Sequence, residues 1–232
     1  DKAPFDKVEV RQALKWAINR QELVDKVLFG YGKVGNDTPL ADTIKFATNP
    51  EPVYSYDPDK AKSLLKKAGM ENLKVDLSAA DAAFAGSVDA ALLMAEHAKA
   101  AGIEINVVRE PNDGYWDNVW LKKAWCHCYW GGRPTADMFY TISLADGAPW
   151  NDSHWKNARF NELLPQARAE LDEAKRAAMY AEMSQLVHDD GGQMVLMFTN
   201  YVGAMSTKIG HGEFNADLDH DGDYMYDKWW FA

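Results

Sequence analysis

A short run near the middle of the chain carries the side chains best suited to holding a small molecule. It reads Trp130-Gly131-Gly132-Arg133-Pro134-Thr135-Ala136-Asp137. Trp130 offers a flat apolar wall, and Arg133 offers a planar cation whose fork matches a carboxylate or a phosphate. The paired glycines let a ligand approach backbone N–H groups closely. The pattern predicts an anion-binding loop, although an ordinary turn with a buried tryptophan and a surface arginine fits these letters equally well.

Cys126-His127-Cys128, shortly before that run, has metal-binding side chains without the arrangement of a metal site. On a strand, alternate side chains face opposite sides, so His127 should point away from both sulfurs. A zinc site needs four convergent ligands, and no second cluster is near in the sequence. We therefore expect two buried structural cysteines and no bound metal, and their Cβ atoms should be too far apart for an easy disulfide.

Two other motifs match the residue spacing of known binding sites but lack features that those sites require. Gly30-Tyr31-Gly32-Lys33-Val34-Gly35 fits the dinucleotide fingerprint G-x-G-x-x-G, but that mechanism needs a strand before the glycines and a helix after them. Here a predicted helix precedes them, which indicates a helix end and a turn. Asp217–Gly222 resembles the first half of a calcium loop, but Lys228 stands where the loop needs a bidentate glutamate, so an acidic turn is favoured.

The sequence lacks the common catalytic motifs and the charge of a nucleic-acid-binding protein. It contains no G-x-S-x-G, H-E-x-x-H or P-loop pattern, so no catalytic residue and no cofactor are predicted. Its 35 acidic and 25 basic residues give a formal net charge of −10, which opposes binding to a phosphate backbone. The four lysines between positions 60 and 67 fall on the polar face of one predicted helix, so they form no basic patch.

An α/β core is predicted to position the binding loop. Strict apolar alternation at 73–77 and 103–107 predicts two strands, and the helical stretch 86–101 between them completes a βαβ unit. Such a unit predicts parallel strands joined by a right-handed crossover. A third strand over 124–130 extends the predicted sheet and ends at the loop, where open α/β sheets bind ligands.

Helical patterns with recognisable ends flank this core. Asp6 with Glu9 and Asn19 with Glu22 have the capping-box spacing, and they predict a helical hairpin at the start of the chain. Asp57-Pro58 and Gly69 mark the two ends of another helix. The other predicted elements are helices over 115–122, 158–170 and 172–189 and a short buried strand over 195–198.

The opening segment, from Pro4 to Leu28 and then Gly30-Tyr31-Gly32, resembles the signature region of a known family. This is family 5 of the extracytoplasmic solute-binding proteins, the peptide, opine and nickel class that feeds ABC importers. Further similar segments follow in order along nearly the whole chain, which makes the resemblance specific. They are Tyr56–Gly69, Trp130–Asp137, Ala148-Pro149-Trp150-Asn151, Pro165-Gln166-Ala167, Glu170-Leu171-Asp172 with Lys175-Arg176, and Asp189-Asp190-Gly191-Gly192.

The resemblance implies a fold and a division of the chain. The fold would be α/β, a lobe like that of the type II periplasmic binding proteins, with a mixed, largely parallel sheet flanked by helices. Because the signature region lies about midway along family members, the chain should be the C-terminal portion of a longer receptor. Residues 1–200 would form the second ligand-binding lobe, and residues 201–232 would return toward the first lobe, which this chain lacks.

The resemblance also implies a function without catalysis or cofactor. The protein would be the substrate-binding component of a bacterial ABC importer, located in the periplasm. It would capture a small peptide, or a peptide-like or anionic solute such as an opine or a modified amino acid, and deliver it to the permease subunits in the membrane. The substrate-binding residues that the similar segments imply are Trp130, Gly131, Gly132, Arg133, Asp137, Trp150 and Asn151.

One position departs from the family pattern. In peptide-binding members the residue three positions after the strand-end tryptophan is an Asp that pairs with the ligand's α-amino group, and here it is Arg133. The segment 86–89 also lacks the Arg that dipeptide binders use for the ligand's carboxylate. The inverted charge favours a ligand with a carboxylate or another anion. Two alternatives stay open: a metal- or cofactor-dependent hydrolase that shares its site with the absent N-terminal half, and a structural interaction module.

Overall fold

The structure is a computed structural model that describes residues 2–215 and 219–232. Its helices and strands are, in chain order, α1 (Val8–Trp16), α2 (Arg20–Val27), β1 (Gly32–Val34), α3 (Pro58–Ala68), β2 (Lys74–Ala79), α4 (Ser87–Lys99), β3 (Glu104–Arg109), α5 (Tyr115–Asn118), α6 (Ala136–Ser143), α7 (Ala158–Ala169), α8 (Glu173–Asp190), β4 (Met197–Thr199), β5 (Ile209–Gly210), α9 (Asp219–Gly222), α10 (Met225–Lys228) and β6 (Trp230–Phe231). The helices within those described ranges include none with the length and hydropathy of a membrane span.

The βαβ unit forms as the alternating pattern predicts. β2 and β3 are parallel and in register from Lys74 opposite Glu104 to Ala79 opposite Arg109. α4 connects the two strands and packs on both of them. Leu77 and Ile103 are among the fully buried side chains of this core, since apolar residues at alternate positions share one face of a strand.

The predicted third strand pairs with the sheet at one point only. Ser78 and Cys126 form an isolated parallel bridge, with the amide of His127 donating to the carbonyl of Ser78 at 3.0 Å. Past His127 the chain leaves β2, and the side chains of Cys128 and Trp130 turn toward a loop carboxylate instead of a further strand. The central sheet is therefore a parallel pair with a short extension.

Two hydrophobic cores lie on either side of a cleft. The first joins α1, α3 and the βαβ unit, and its buried members include Leu14, Leu65 and Met94. The second is built by α6, α7 and α8, with Tyr140 and Phe160 fully buried in it. The pattern analysis did not predict α6, which begins after Thr135, whose Oγ1 accepts the amide N–H of Met138 at 3.1 Å.

Two antiparallel strand pairs complete the fold. β1 pairs with β4, from Gly32 opposite Thr199 to Val34 opposite Met197. The strand predicted over 195–198 therefore begins two residues later and ends one residue later, with Met197 and Phe198 half-buried and Thr199 exposed. β5 pairs with β6 inside the C-terminal segment. This segment leaves large apolar side chains in solvent; Tyr226 is 87% exposed and Phe231 is 89% exposed.

The helix ends show which capping signals the fold uses. The Asp6–Glu9 box is wrong: Lys7 is the N-cap of α1 without a side-chain cap. The amide of Asp6 donates to the Lys2 carbonyl at 3.0 Å in the turn before the helix, and the Glu9 carboxylate pairs with Lys67 at 3.2 Å. Asn19 does cap α2, with its Oδ1 accepting the amide of Glu22 at 3.2 Å. At α3, the Asp57 cap and the left-handed Gly69 form as predicted.

Candidate functional site

A wide cleft between the two cores is the place where a ligand can enter. Its volume is about 2320 Å³, well above the roughly 300–1,000 Å³ of a pocket that encloses one small ligand, so it is an open trough. The walls come from the segment 120–133, residues 152–156, and β1 and β4 with their flanking residues. Phe214, Met225 and Trp229 of the C-terminal segment line one side.

Trp130 stands on the wall of this trough. Its ring lies 5.3 Å from that of Phe139 in the second core, centroid to centroid, which holds one edge of the indole. Its Nε1 donates to Oδ2 of Asp152 at 3.1 Å. Because both the ring and the N–H have fixed partners, the indole is oriented before any ligand arrives.

Arg133 lines the trough beside Trp130 without a carboxylate partner among the described residues. Its Nη1 donates to the carbonyl oxygens of Gly131 and Gly132, at 2.9 Å each, and its Cζ lies 5.9 Å from the Trp130 ring centroid. A guanidinium has five N–H donors, and these two contacts leave the donors on Nε and Nη2 for a ligand. The loop therefore presents a preformed, uncompensated cation.

Three tryptophans pack against one another beside Arg133, two of the pairs edge to face and the third tilted. The ring centroids of Trp120 and Trp130 are 6.3 Å apart, and Trp150 lies 6.4 Å from Trp120 and 6.1 Å from Trp130. These separations are those of favourable aromatic pairs. We call Trp120, Trp130 and Trp150 the aromatic corner.

Asp152 organises the aromatic corner and was not predicted as a site residue. Its Oδ2 accepts the indole N–H of Trp120 at 3.2 Å and that of Trp130 at 3.1 Å, and the Cys128 thiol at 3.5 Å. Its Oδ1 accepts Nε2 of Gln193 at 3.0 Å. Its only sequence signal was its position directly after the Trp150-Asn151 pair, which the resemblance had singled out.

The other predicted site residues lie at the edge of the trough or behind it. Asp137, in the first turn of α6, forms an ion pair with Arg168 of α7 at 3.0 Å. Asn151 is 6% exposed, and its Nδ2 donates to the carbonyl of Trp155 at 2.8 Å. Trp150 is 46% exposed and borders the corner. The structure thus brings Trp130, Gly132 and Arg133 to the trough. Gly131 supports Arg133, Asn151 holds neighbouring backbone, and Asp137 is paired with Arg168.

The Cys126-His127-Cys128 side chains alternate as the strand pattern predicts. His127 points into the first core, with Nδ1 3.1 Å from the Ser87 hydroxyl, whereas Cys128 faces Asp152. Burial raises the pKa of Cys126 to about 11 and that of Cys128 further above its usual range, and burial lowers the pKa of His127 to about 4. At neutral pH these groups are uncharged, and neutral thiols are poor nucleophiles. Both cysteines are free and half-buried.

The remaining motifs take the places of turns. Gly30 has a left-handed φ of +80° just past the end of α2, and β1 begins at Gly32, so the predicted helix end and turn are confirmed. Part of the acidic segment 217–222 lies outside the described residues. Within them, Asp221 accepts the indole N–H of Trp229 at 3.0 Å. Across residues 2–215 and 219–232, no three His, Cys, Asp or Glu side chains converge as a metal site requires.

The sequence of this chain is similar to those of bacterial solute-binding proteins. A profile of the bacterial extracellular solute-binding proteins, family 5, middle part, matches residues 1–152. The chain is 28% identical over 211 residues to the dipeptide-binding protein of Escherichia coli, an alignment that covers 84% of this chain and 38% of that protein. It is 30% identical over 198 residues to heme-binding protein A of Haemophilus influenzae, covering 82% of this chain and 36% of that one.

A solved structure shares the whole fold. The dipeptide-binding protein from Pseudoalteromonas sp. SM9913, solved in complex with Met-Leu, superposes with a TM-score of 0.79 over 100% of this chain and 46% of that one, at 18% identity. The predicted fold class, an α/β lobe of the type II periplasmic binding proteins, is therefore confirmed. The chain spans less than half the length of the curated relatives it matches.

Proposed function

Because the chain belongs to family 5 of the bacterial extracellular solute-binding proteins, we propose that it supplies one wall of the ligand cleft of an ABC-importer receptor. The observation that carries the proposal is the trough wall itself, where an oriented indole and an arginine without a carboxylate partner face the open space. The ligand would be a small peptide, or a peptide-like or anionic solute such as an opine or a modified amino acid.

Arg133 is the proposed anion anchor. Its backbone contacts hold the guanidinium in place while leaving its charge uncompensated by any carboxylate of the described chain. A carboxylate of the ligand can accept two parallel N–H bonds from such a fork, which is stronger and more selective than a contact with a lysine. Gly132 beside it leaves the loop open to ligand.

We also propose that the described chain folds as the second lobe, residues 1–200, with residues 201–232 reaching back to a first lobe outside this sequence. Support comes from the C-terminal segment, where Tyr226, Trp230 and Phe231 are more than half exposed. Apolar side chains in such a group mark a contact surface. Ligand held between two lobes would shift an open–closed equilibrium toward closure.

Membership of the family supports a proposal about where the protein works and which partner it serves. We propose that the protein works in the periplasm of a bacterium, captures its solute there, and passes it to the permease subunits of an ABC importer. The two relatives named above are binding proteins, and we infer the same for this chain, with no bond made or broken. An interaction module would pack the Trp130–Asp137 loop away from a cleft, whereas Trp130 and Arg133 line one.

Native mass spectrometry of the full-length protein tests this function. The protein is purified from its own host without refolding, and its mass is measured before and after mild denaturation. We expect one small molecule per protein, released chemically unchanged, and a change in tryptophan fluorescence when it is added back. A protein that binds no small solute, either as isolated or on addition of peptide and organic-anion mixtures, contradicts the proposal.

The same material separates a receptor from a hydrolase. The released molecule is incubated with a catalytic amount of the protein for several hours, and the mixture is analysed for products. A receptor leaves the compound intact however long the incubation lasts. Accumulation of product beyond one equivalent per protein would favour the hydrolase alternative and overturn the receptor function.

A further inference from the structure

We propose that Asp152 is a second charged anchor of the cleft and that the ligand is therefore dipolar, with an anionic group at Arg133 and a cationic group near Asp152. This inference rests on the proposed receptor function and goes beyond it, since it assigns a new binding residue and narrows the ligand class. The cationic group would be an ammonium or substituted ammonium.

The contacts of Asp152 orient its carboxylate without neutralising it. All four of its donors, two indoles, one thiol and one amide, are uncharged. Two other carboxylates on the trough are matched by a cation: Asp42 by Lys33, and Asp190 by Arg11. Asp152 pairs with no lysine, arginine or histidine of the described ranges. A partly buried carboxylate without a counter-charge favours a ligand cation, because burial weakens screening by water.

Gln193 adds an acceptor that needs a donor. Its Nε2 donates to Asp152, while its Oε1 is buried without a hydrogen-bond partner in the described chain. An unpaired buried acceptor costs about 1–3 kcal/mol, so a movement of the Gln193 side chain that exposes Oε1 to an N–H donor beside Asp152 would be favoured. An anion placed there would meet two acceptors and one negative charge, which disfavours it.

The aromatic corner supports a cation at the same place. The indole N–H groups of Trp120 and Trp130 point at Asp152, so neither of these two rings offers the trough a free donor for an anion. The faces of indoles carry negative potential and attract cations, and the Trp130 face already holds the Arg133 guanidinium at 5.9 Å. Trp130 thus contacts the Arg133 guanidinium with its ring face and the Asp152 carboxylate with its N–H edge.

The Arg133 guanidinium and the Asp152 carboxylate both contact Trp130, and their opposite charges together define the ligand class. A molecule with a carboxylate and an ammonium, such as a free amino acid derivative, an opine or a short peptide, compensates both charges when it binds. A simple anion compensates Arg133 alone and is repelled by Asp152. The accepted ligands would have a carboxylate and an ammonium in common and could differ in size.

A library with matched charges tests the inference in the full-length protein. Each dipeptide and each N-substituted amino acid is supplied in three forms: unmodified, N-acetylated so that only the anion remains, and C-amidated so that only the cation remains. Bound members are identified by mass spectrometry, and their affinities are measured by calorimetry. The proteins compared are wild type, Asp152→Asn, and Glu182→Gln, a control that removes a negative charge outside the trough, where Glu182 pairs with Arg159.

We expect wild type and Glu182→Gln to bind unmodified members at least tenfold more tightly than their N-acetylated forms. Asp152→Asn should lose most of that preference while keeping its affinity for the N-acetylated anions. A merely structural role for Asp152 would weaken both forms equally, and that outcome overturns the inference, as does equal binding of both forms by wild type. Failure of every form to bind would instead contradict the receptor function itself.

Discussion

Two arginines of this molecule have similar immediate neighbours and opposite surroundings. Arg20 lies with its Cζ 5.3 Å from the ring centroid of Tyr54, and Arg133 lies 5.9 Å from that of Trp130. Each donates Nη1 to two backbone carbonyl oxygens. Arg20, however, is 3% exposed and pairs with the fully buried Asp37 at 2.7 Å, whereas Arg133 lines the open trough without an acidic partner in the described chain.

Arg20 stabilises the fold through an internal ion pair, whereas the charge of Arg133 is available to a ligand. Arg20 bonds the carbonyls of Gly35 and Val195, just outside the paired strands β1 and β4, so its charge ties two distant parts of the chain together. Its counter-ion is internal. The counter-ion of Arg133 has to come from outside, and that is the physical content of the proposed function.

The largest expected loss of stability comes from breaking the buried Arg20–Asp37 ion pair. Asp37→Ala should lower the free energy of unfolding by about 3–5 kcal/mol, because it leaves the Arg20 guanidinium buried without its carboxylate. Urea unfolding measures this effect. The control is Glu173→Gln, which removes a carboxylate from the exposed pair with Lys45 and should change stability little. Equal stabilities for the two variants would refute the distinction drawn for Arg20.

The buried His127 should show what happens to an ionisable core group without a partner ion. Its pKa is about 4 in the folded protein against 6.5 for an ordinary histidine, so the folded form excludes a proton that the unfolded chain binds. Its contribution is complete above pH 6.5 and is lost as pH falls toward 4. The shift corresponds to about 3 kcal/mol at most.

Unfolding measured between pH 7 and pH 4 for wild type and His127→Gln isolates this contribution from that of the carboxylates. We expect the wild type to lose more stability over that interval than the variant does. The Gln variant is less stable at pH 7, since it disturbs the Ser87 contact, but its curve should be flatter. Parallel curves would show that His127 does not titrate as its burial requires.

The smallest stability effect is expected at Arg133. Arg133→Ala removes two bonds to half-buried loop carbonyls beside the open trough, where water can replace them, so its free energy of unfolding should fall by less than about 1 kcal/mol. Chemical denaturation of this variant beside Asp37→Ala makes the comparison direct. A loss as large as that of Asp37→Ala would mean that Arg133 is a structural residue like Arg20.

Local signals in the sequence were enough for the elements whose ends and faces depend on near neighbours. The βαβ unit follows from alternation and one amphipathic helix, and α3 follows from Asp57 and Gly69, which act within four residues of their own helix. The Asp6–Glu9 box failed although its letters fit, because the Asp6 amide bonds the Lys2 carbonyl and Glu9 pairs with Lys67 of α3. A capping pattern gives no account of such distant competitors.

The site was only partly predictable for the same reason. Trp130 and Arg133 are neighbours in sequence, and their chemistry could be interpreted together. Asp152 bonds Trp120 across 32 residues and Gln193 across 41, and no spacing rule connects these positions. The β1–β4 pairing also joins distant strands of three residues each, too short to leave a clear period in the sequence.

Calorimetric titration of the full-length protein with its co-purified solute, for wild type, Arg133→Ala and Arg159→Gln, tests the central claim most directly. Arg159 pairs with glutamates away from the trough, so its variant controls for lost positive charge. We predict that Arg133→Ala binds at least tenfold more weakly than wild type, a change of about 1.4 kcal/mol, while Arg159→Gln binds as wild type does. Unchanged affinity in Arg133→Ala would contradict the account.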